Sequence, residues 1–162
     1  MNKTNKQVNS YSGFTLIEVL LVIGIIAILA AIVIIAINPA RQLAQARNTQ
    51  RWSNVNTILN AVHQYAVDNK GNLPTSVTST SATEICATGV ATTTCASSSL
   101  VDLQVLTNSE TYLTALPSDP SCPTGCNANG IGYKISKSVN GRITVSVPTS
   151  TQELGTSISV TR

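Results

Sequence analysis

From Val19 to Ile37 the chain runs for nineteen residues without a charged or polar side chain, and one carboxylate, Glu18, stands at the edge of that run. A helix of this length rises about 1.5 Å per residue, roughly 28 Å in all, enough to cross the hydrocarbon core of a bilayer. A carboxylate at mid-membrane costs on the order of 2.5–3.5 kcal/mol, and less near the edge, so it calls for a partner and a task. Everything before Gly13 is hydrophilic and carries Lys3 and Lys6. The membrane helix is therefore the first constraint, and any folded domain has to be built from the residues beyond Ile37.

An ordinary secretory signal has an apolar core of about 7–15 residues and then a small-residue cleavage site. Here the apolar run continues past Ala30-Ala31 to Ile37, which argues against removal at those alanines. No cysteine precedes Cys86, so none is available for lipid attachment near the run. An uncleaved signal anchor, with Glu18 snorkelling to the headgroups, leaves both the Gly13-Phe14 junction and the position of the acid without a reason.

The segment Gly13-Phe14-Thr15-Leu16-Ile17-Glu18-Val19-Leu20 resembles the cleavage and methylation segment of type IV prepilins and type II secretion pseudopilins. The resemblance implies cleavage after Gly13 by a prepilin peptidase on the cytoplasmic side and N-methylation of the new N-terminus, Phe14. It also implies an α+β fold, in which a long N-terminal helix, membrane-spanning in its first half, packs on a small antiparallel sheet. The expected partners are other pilins or pseudopilins, joined by self-assembly into a helical filament, and an inner-membrane assembly platform. The expected location is the bacterial inner membrane, single-pass, with the leader cytoplasmic and the head outside, and later the pilus or pseudopilus. Cleavage creates an ammonium at the membrane surface, and Glu18 is the only acid near it. Residues four apart share a helix face, so Glu18 is placed to meet the Phe14 amine of its own subunit or of a neighbour. A charge pair among apolar helices contributes register more securely than stability, which makes Glu18 the candidate assembly residue.

Without residues 1–13 the chain keeps eight Lys and Arg against seven acids, and only 4% of the whole is aromatic. Neither the charge nor the aromatic content is a nucleic-acid signature. Arg41, Arg47 and Arg51 flank the apolar run on one side and Lys3 and Lys6 on the other, so the positive-inside rule does not decide topology. The cysteines argue for an exported head: Cys86, Cys95, Cys122 and Cys126 all lie beyond the helix, and an even number in a small exported domain reads as two disulfides. Three connectivities are open; the local one, Cys86–Cys95 with Cys122–Cys126, is the one expected. A four-thiolate zinc site fits poorly, because the spacings are not those of short paired knuckles.

The remainder divides into an amphipathic half-helix, residues 38–70, and a head, residues 71–162, after the leader, 1–13, and the transmembrane half, 14–37. Pro39 either opens a new helix with Asn38 as its cap or kinks a continuous one. Val55, Leu59, Val62 and Ala66, widened by Ile58 and Tyr65, form an apolar stripe at helical spacing, and Lys70-Gly71 is a C-terminal stop. Ser and Thr make up more than half of residues 75–99, which predicts a loop pinned by a disulfide and no core element. Leu100, Leu103 and Leu106 predict a short helix or packed turn. Asn140-Gly141 predicts a hairpin with a type I′ turn between a strand bearing Tyr133 and Ile135 and one bearing Ile143, Val145 and Val147. Residues 156–161 predict a short edge strand.

The segment Leu116-Pro117-Ser118-Asp119-Pro120 resembles the Leu-Pro-x-Asp-Pro segment of pseudopilin heads, especially the major G-type subunit. In that family the neighbouring loop binds calcium, which would make Asp119 the candidate ligand. One carboxylate makes a poor calcium site, the aromatic that usually follows is missing, and the next acid is Glu153, so Asp119 reads first as a turn or cap residue. No other cofactor is expected, and no enzyme activity. His63 is the only histidine and sits beside an apolar stripe, and no Ser, Cys or Asp lies in a nucleophile motif. Two machines remain open, a type II secretion pseudopilus and a type IV pilus. A minor pilin whose head binds DNA or a surface is the alternative, and a signal-anchored enzyme stands behind both.

Overall fold

The computed structural model describes residues 13–78 and 80–162. It divides into two compact units, residues 1–40 and 41–162. The expected leader, residues 1–13, lies outside the described residues except for Gly13. In the first unit, α1 spans Leu16–Ile37, and all of its residues are exposed. A helix that is apolar all round beyond Glu18 and has no buried face is what a bilayer or a bundle of like helices would cover. It ends where Asn38 turns left-handed, at φ 44°. The residue before a proline is disfavoured in the α region, so Pro39 forces that break.

Pro39 also opens the second helix, α2 (Pro39–Asp68), where its missing N–H would have had no partner in any case. Of the two outcomes expected for Pro39, the structure takes the new helix. Val55, Ile58, Leu59 and Val62 recur at three- and four-residue spacing on α2, and all are fully buried. At the C-terminus the amide of Gly71 donates to Ala66 O at 2.7 Å, with Lys70 at φ 58° and Gly71 at φ 87°. This bond closes a Schellman motif at the expected stop.

The stripe packs against a four-stranded antiparallel sheet in the order β1 (Thr83–Cys86), β2 (Gly130–Lys137), β3 (Ile143–Ser146), β4 (Ser159–Thr161). The inward side chains Tyr133, Ile135, Ile143, Val145 and Val147 join the α2 stripe in one core with Ile158, Leu103 and Leu106. Lys134, Ser136, Thr144 and Ser146 alternate with them on the other face, as the period of two requires. β4 lies at the edge, as expected, with Val145 opposite Val160. Gln104–Leu106 forms a single 3-10 turn, which buries Leu106.

Two expectations need correction. The Ser/Thr-rich stretch does contribute to the core. β1 lies inside it and pairs with β2, Val77, Ile85 and Cys86 are buried, and a short helix α3 (Thr92–Ser97) buries Cys95. Ile85 also bridges to Val101, with the amide of Cys86 donating to Val101 O at 2.9 Å. A strand of four residues needs only one or two inward apolar side chains when its neighbour already has a core, and average composition hides so short an element. The β2–β3 turn is also not type I′. Only Gly141 of the Asn-Gly pair has positive φ, at 83°, and its amide donates to Ser138 O at 2.9 Å. The loop has three residues, Val139 to Gly141, and a left-handed glycine closes it as a bulge.

Candidate functional site

At the start of α1, Gly13 and Phe14 lie outside the helix, and Phe14 is 82% exposed. Thr15 is the cap. Its backbone is extended (φ −79°, ψ 149°), and its Oγ1 accepts from the Glu18 amide at 3.3 Å. Thr15 and Glu18 therefore occupy the two positions of a capping box. Phe14 and Val19, which flank that box, line the same shallow apolar depression with Val22 and Ile23, the arrangement of a hydrophobic staple. A carboxylate in the first turn faces the positive end of the helix dipole. A Cβ added at Gly13 would meet nothing within 4 Å among the described residues.

Where α2 packs on the head there is a charged cluster that sequence patterning missed. Arg51, read above as one of three basic residues flanking the membrane run, has no exposed surface. Its Nε donates to Asp119 Oδ2 at 2.7 Å, and Nη2 donates to Asp119 Oδ1 at 3.1 Å and Ser121 Oγ at 2.7 Å. Nη1 donates to Asn48 Oδ1 at 2.9 Å and Glu153 Oε2 at 2.8 Å. All five donors of the guanidinium thus have acceptors, the condition for burying such a charge. Arg47 Nε also donates to both Glu153 oxygens at 2.9 Å, and Asn48 Nδ2 donates to Glu153 O at 3.0 Å. A signal for this was present: Ala44, Asn48 and Arg51 continue the buried stripe of Val55 and Ile58 toward the start of α2. One turn on, Asn54 Nδ2 donates to Tyr133 Oη at 2.9 Å and Ser118 O at 3.1 Å. Burial pushes the Tyr133 phenol up to about 12.

Asp119 does act as a turn residue, with the Ser121 amide on Oδ1 at 2.7 Å and the Cys122 amide on its carbonyl at 3.0 Å. Both of its carboxylate oxygens also accept from Arg51. Its hydrogen-bonding partner through the cluster is Arg51, and Glu153, distant in sequence, meets the same guanidinium.

The hydrogen bonds and charge of Arg47, followed by those of Arg51, hold Glu153 down to about 2. A carboxyl whose folded pKa is depressed stabilises the fold above its unfolded pKa, and that contribution is lost as pH falls toward the folded value. Between about pH 4.5 and 2 the head is therefore expected to lose about 1–2 kcal/mol from this residue, a figure reduced for solvent screening of a side chain one-quarter exposed. Thermal unfolding across that range should show the loss for the natural chain and a much smaller one for Glu153→Gln.

Cys86 lies beside Cys95, and Cys122 beside Cys126, as two disulfides with Cα–Cα separations of 5.8 and 5.4 Å. His63 is partly buried, and its Nε2 has no hydrogen-bond partner among the described residues. No group of three or more His, Cys, Asp and Glu is gathered for a metal among the described residues.

Residues 8–36 match the family described as the prokaryotic N-terminal methylation motif. No curated protein and no solved structure matches the chain. The match spans the Gly13-Phe14 junction, Glu18 and nearly all of α1, so the chain carries the prepilin-type signature for N-terminal cleavage and methylation ahead of an α+β, pilin-like head.

Proposed function

We propose that the chain is a structural subunit, cleaved between Gly13 and Phe14, N-methylated at Phe14 and polymerised through α1 into a type II secretion pseudopilus or a type IV pilus. The observation that carries this reading is the methylation motif over residues 8–36, joined to a 22-residue apolar helix with no buried residue. Such a helix rests in the bilayer until assembly and is then covered by copies of itself. Glu18 sits one turn beyond the junction, where the amine freed by cleavage gives it a counter-charge. The two disulfides support placement of the head outside the cytoplasmic membrane. The Leu116-Pro117-Ser118-Asp119-Pro120 segment favours the pseudopilus of the two machines.

Expression of the chain with a complete assembly system, followed by electron microscopy of surface fibres, tests polymerisation. Fibres labelled by an antibody to the head are expected. A chain that is processed but stays wholly in the membrane fraction would contradict the polymerising role.

Asp119 acts in this reading as the counter-ion of Arg51 and not as a calcium ligand. Millimolar calcium or a chelator is accordingly expected to leave the unfolding temperature unchanged, and a rise of several degrees with calcium would restore the ligand role.

A further inference from the structure

The second disulfide lies between the two segments whose carboxylates neutralise Arg51. On one side, β2 passes so close that a methyl group on Gly132 would sit 2.7 Å from Cys126 Sγ, 3.1 Å from Cys122 Sγ and 2.8 Å from Asp119 Cβ. On the other side is Gly125, inside the ring that the disulfide closes, where a methyl group would sit 2.6 Å from Thr151 Cγ2. Thr151 is buried and stands two residues before Glu153. The ring also shares hydrogen bonds with the cluster. Ser121 accepts from Arg51, donates its amide to Asp119, and receives the Gly125 amide on its carbonyl at 3.2 Å.

We propose that the Cys122–Cys126 pair is a redox latch on the Arg51 cluster. Closed, it wedges Asp119 and the Glu153 segment against the guanidinium; open, it releases them and lets water reach Arg51. The segment from Ser121 to Asn129 contains turns and bends but no strand or helix, so the cross-link adds to the order that its few turn hydrogen bonds give. Arg51 depends on that order, because a buried guanidinium that loses its acceptors must rehydrate. Closure is a thiol–disulfide exchange. Cys122 and Cys126 lose two protons and two electrons, and the disulfide of an oxidising dithiol catalyst takes these up to become a dithiol. The latch would then complete the head only after export, a consequence that rests on the outward placement proposed above. The Cys86–Cys95 pair is the internal control. It ties β1 to α3, and none of the Arg47 or Arg51 hydrogen bonds described above reaches either element.

The test uses the full-length chain in detergent micelles with ¹⁵N-labelled arginine, and reads exchange of the Arg51 Nε–H with water. Cys122→Ser/Cys126→Ser is expected to speed that exchange at least about tenfold, while Cys86→Ser/Cys95→Ser changes it less than about twofold. Unchanged exchange in Cys122→Ser/Cys126→Ser would overturn the latch. If that variant does not fold, folded Cys86→Ser/Cys95→Ser protein is reduced with a phosphine and followed in time. Loss of the protected Arg51 signal in step with thiol appearance supports the latch, and its survival after both thiols appear overturns it. Alkylation of thiols in intact cells tests the export reading separately. Free Cys122 there would sink outward placement, while the exchange result alone decides the latch.

Discussion

Arg51→Ala is expected to destabilise the fold by about 3–5 kcal/mol, the cost of breaking a buried ion pair by removing one partner. The change does more than remove hydrogen bonds. It leaves the fully buried carboxylate of Asp119 without a counter-charge and takes from Glu153 one of its two arginines. Denaturant unfolding of the full chain in micelles measures the loss. The paired change Arg51→Met/Asp119→Leu removes both buried charges and is expected to recover most of the stability, because a buried ion pair replaced by apolar groups of similar volume is often neutral or stabilising. If Arg51→Ala cost less than about 1 kcal/mol, the range of an exposed pair, the cluster would not be buried in solution as it is here.

Glu18→Ala is expected to leave cleavage at Gly13 and membrane insertion intact but to reduce incorporation into fibres by an order of magnitude or more. Removing the carboxylate makes α1 more apolar, so insertion has no reason to suffer. The capping box loses its acidic member, while Thr15, the cap itself, keeps its bond to the backbone amide of residue 18. What disappears is the acid that the proposed assembly role sets against the amine freed by cleavage. Quantifying mature subunit in membrane and fibre fractions, with natural and variant chains expressed together, separates the steps. Equal partition of the two chains into fibres would remove Glu18 from the assembly role.

The architecture was legible in the sequence wherever one periodicity ran long enough. The apolar run became α1, the stripe from Val55 to Val62 became the buried face of α2, and the alternation from Tyr133 to Val147 became β2 and β3. β1 was hidden because four residues among Ser and Thr carry too little pattern to outweigh composition. The type of the β2–β3 turn was hidden because an Asn-Gly pair suits both a two-residue turn and a three-residue bulged loop, and strand register chooses between them. The methylation motif was legible as a local pattern whose residues are neighbours in the chain. The Arg51 cluster was not, because its partners lie 68 and 102 residues away, and a basic residue beside a membrane run reads first as a solvated flank. Arg51 does fall in phase with Val55 and Ile58, and a charge in phase with an apolar stripe is the sequence signal of a buried ion pair.

Co-expression of the chain with a prepilin peptidase, followed by mass spectrometry of the intact purified protein, addresses the central claim most directly. The result expected is a mature chain beginning at Phe14, lighter by residues 1–13 and heavier by one methyl group on its terminal amine. An intact Met1, or a terminus near Ala31, would contradict it.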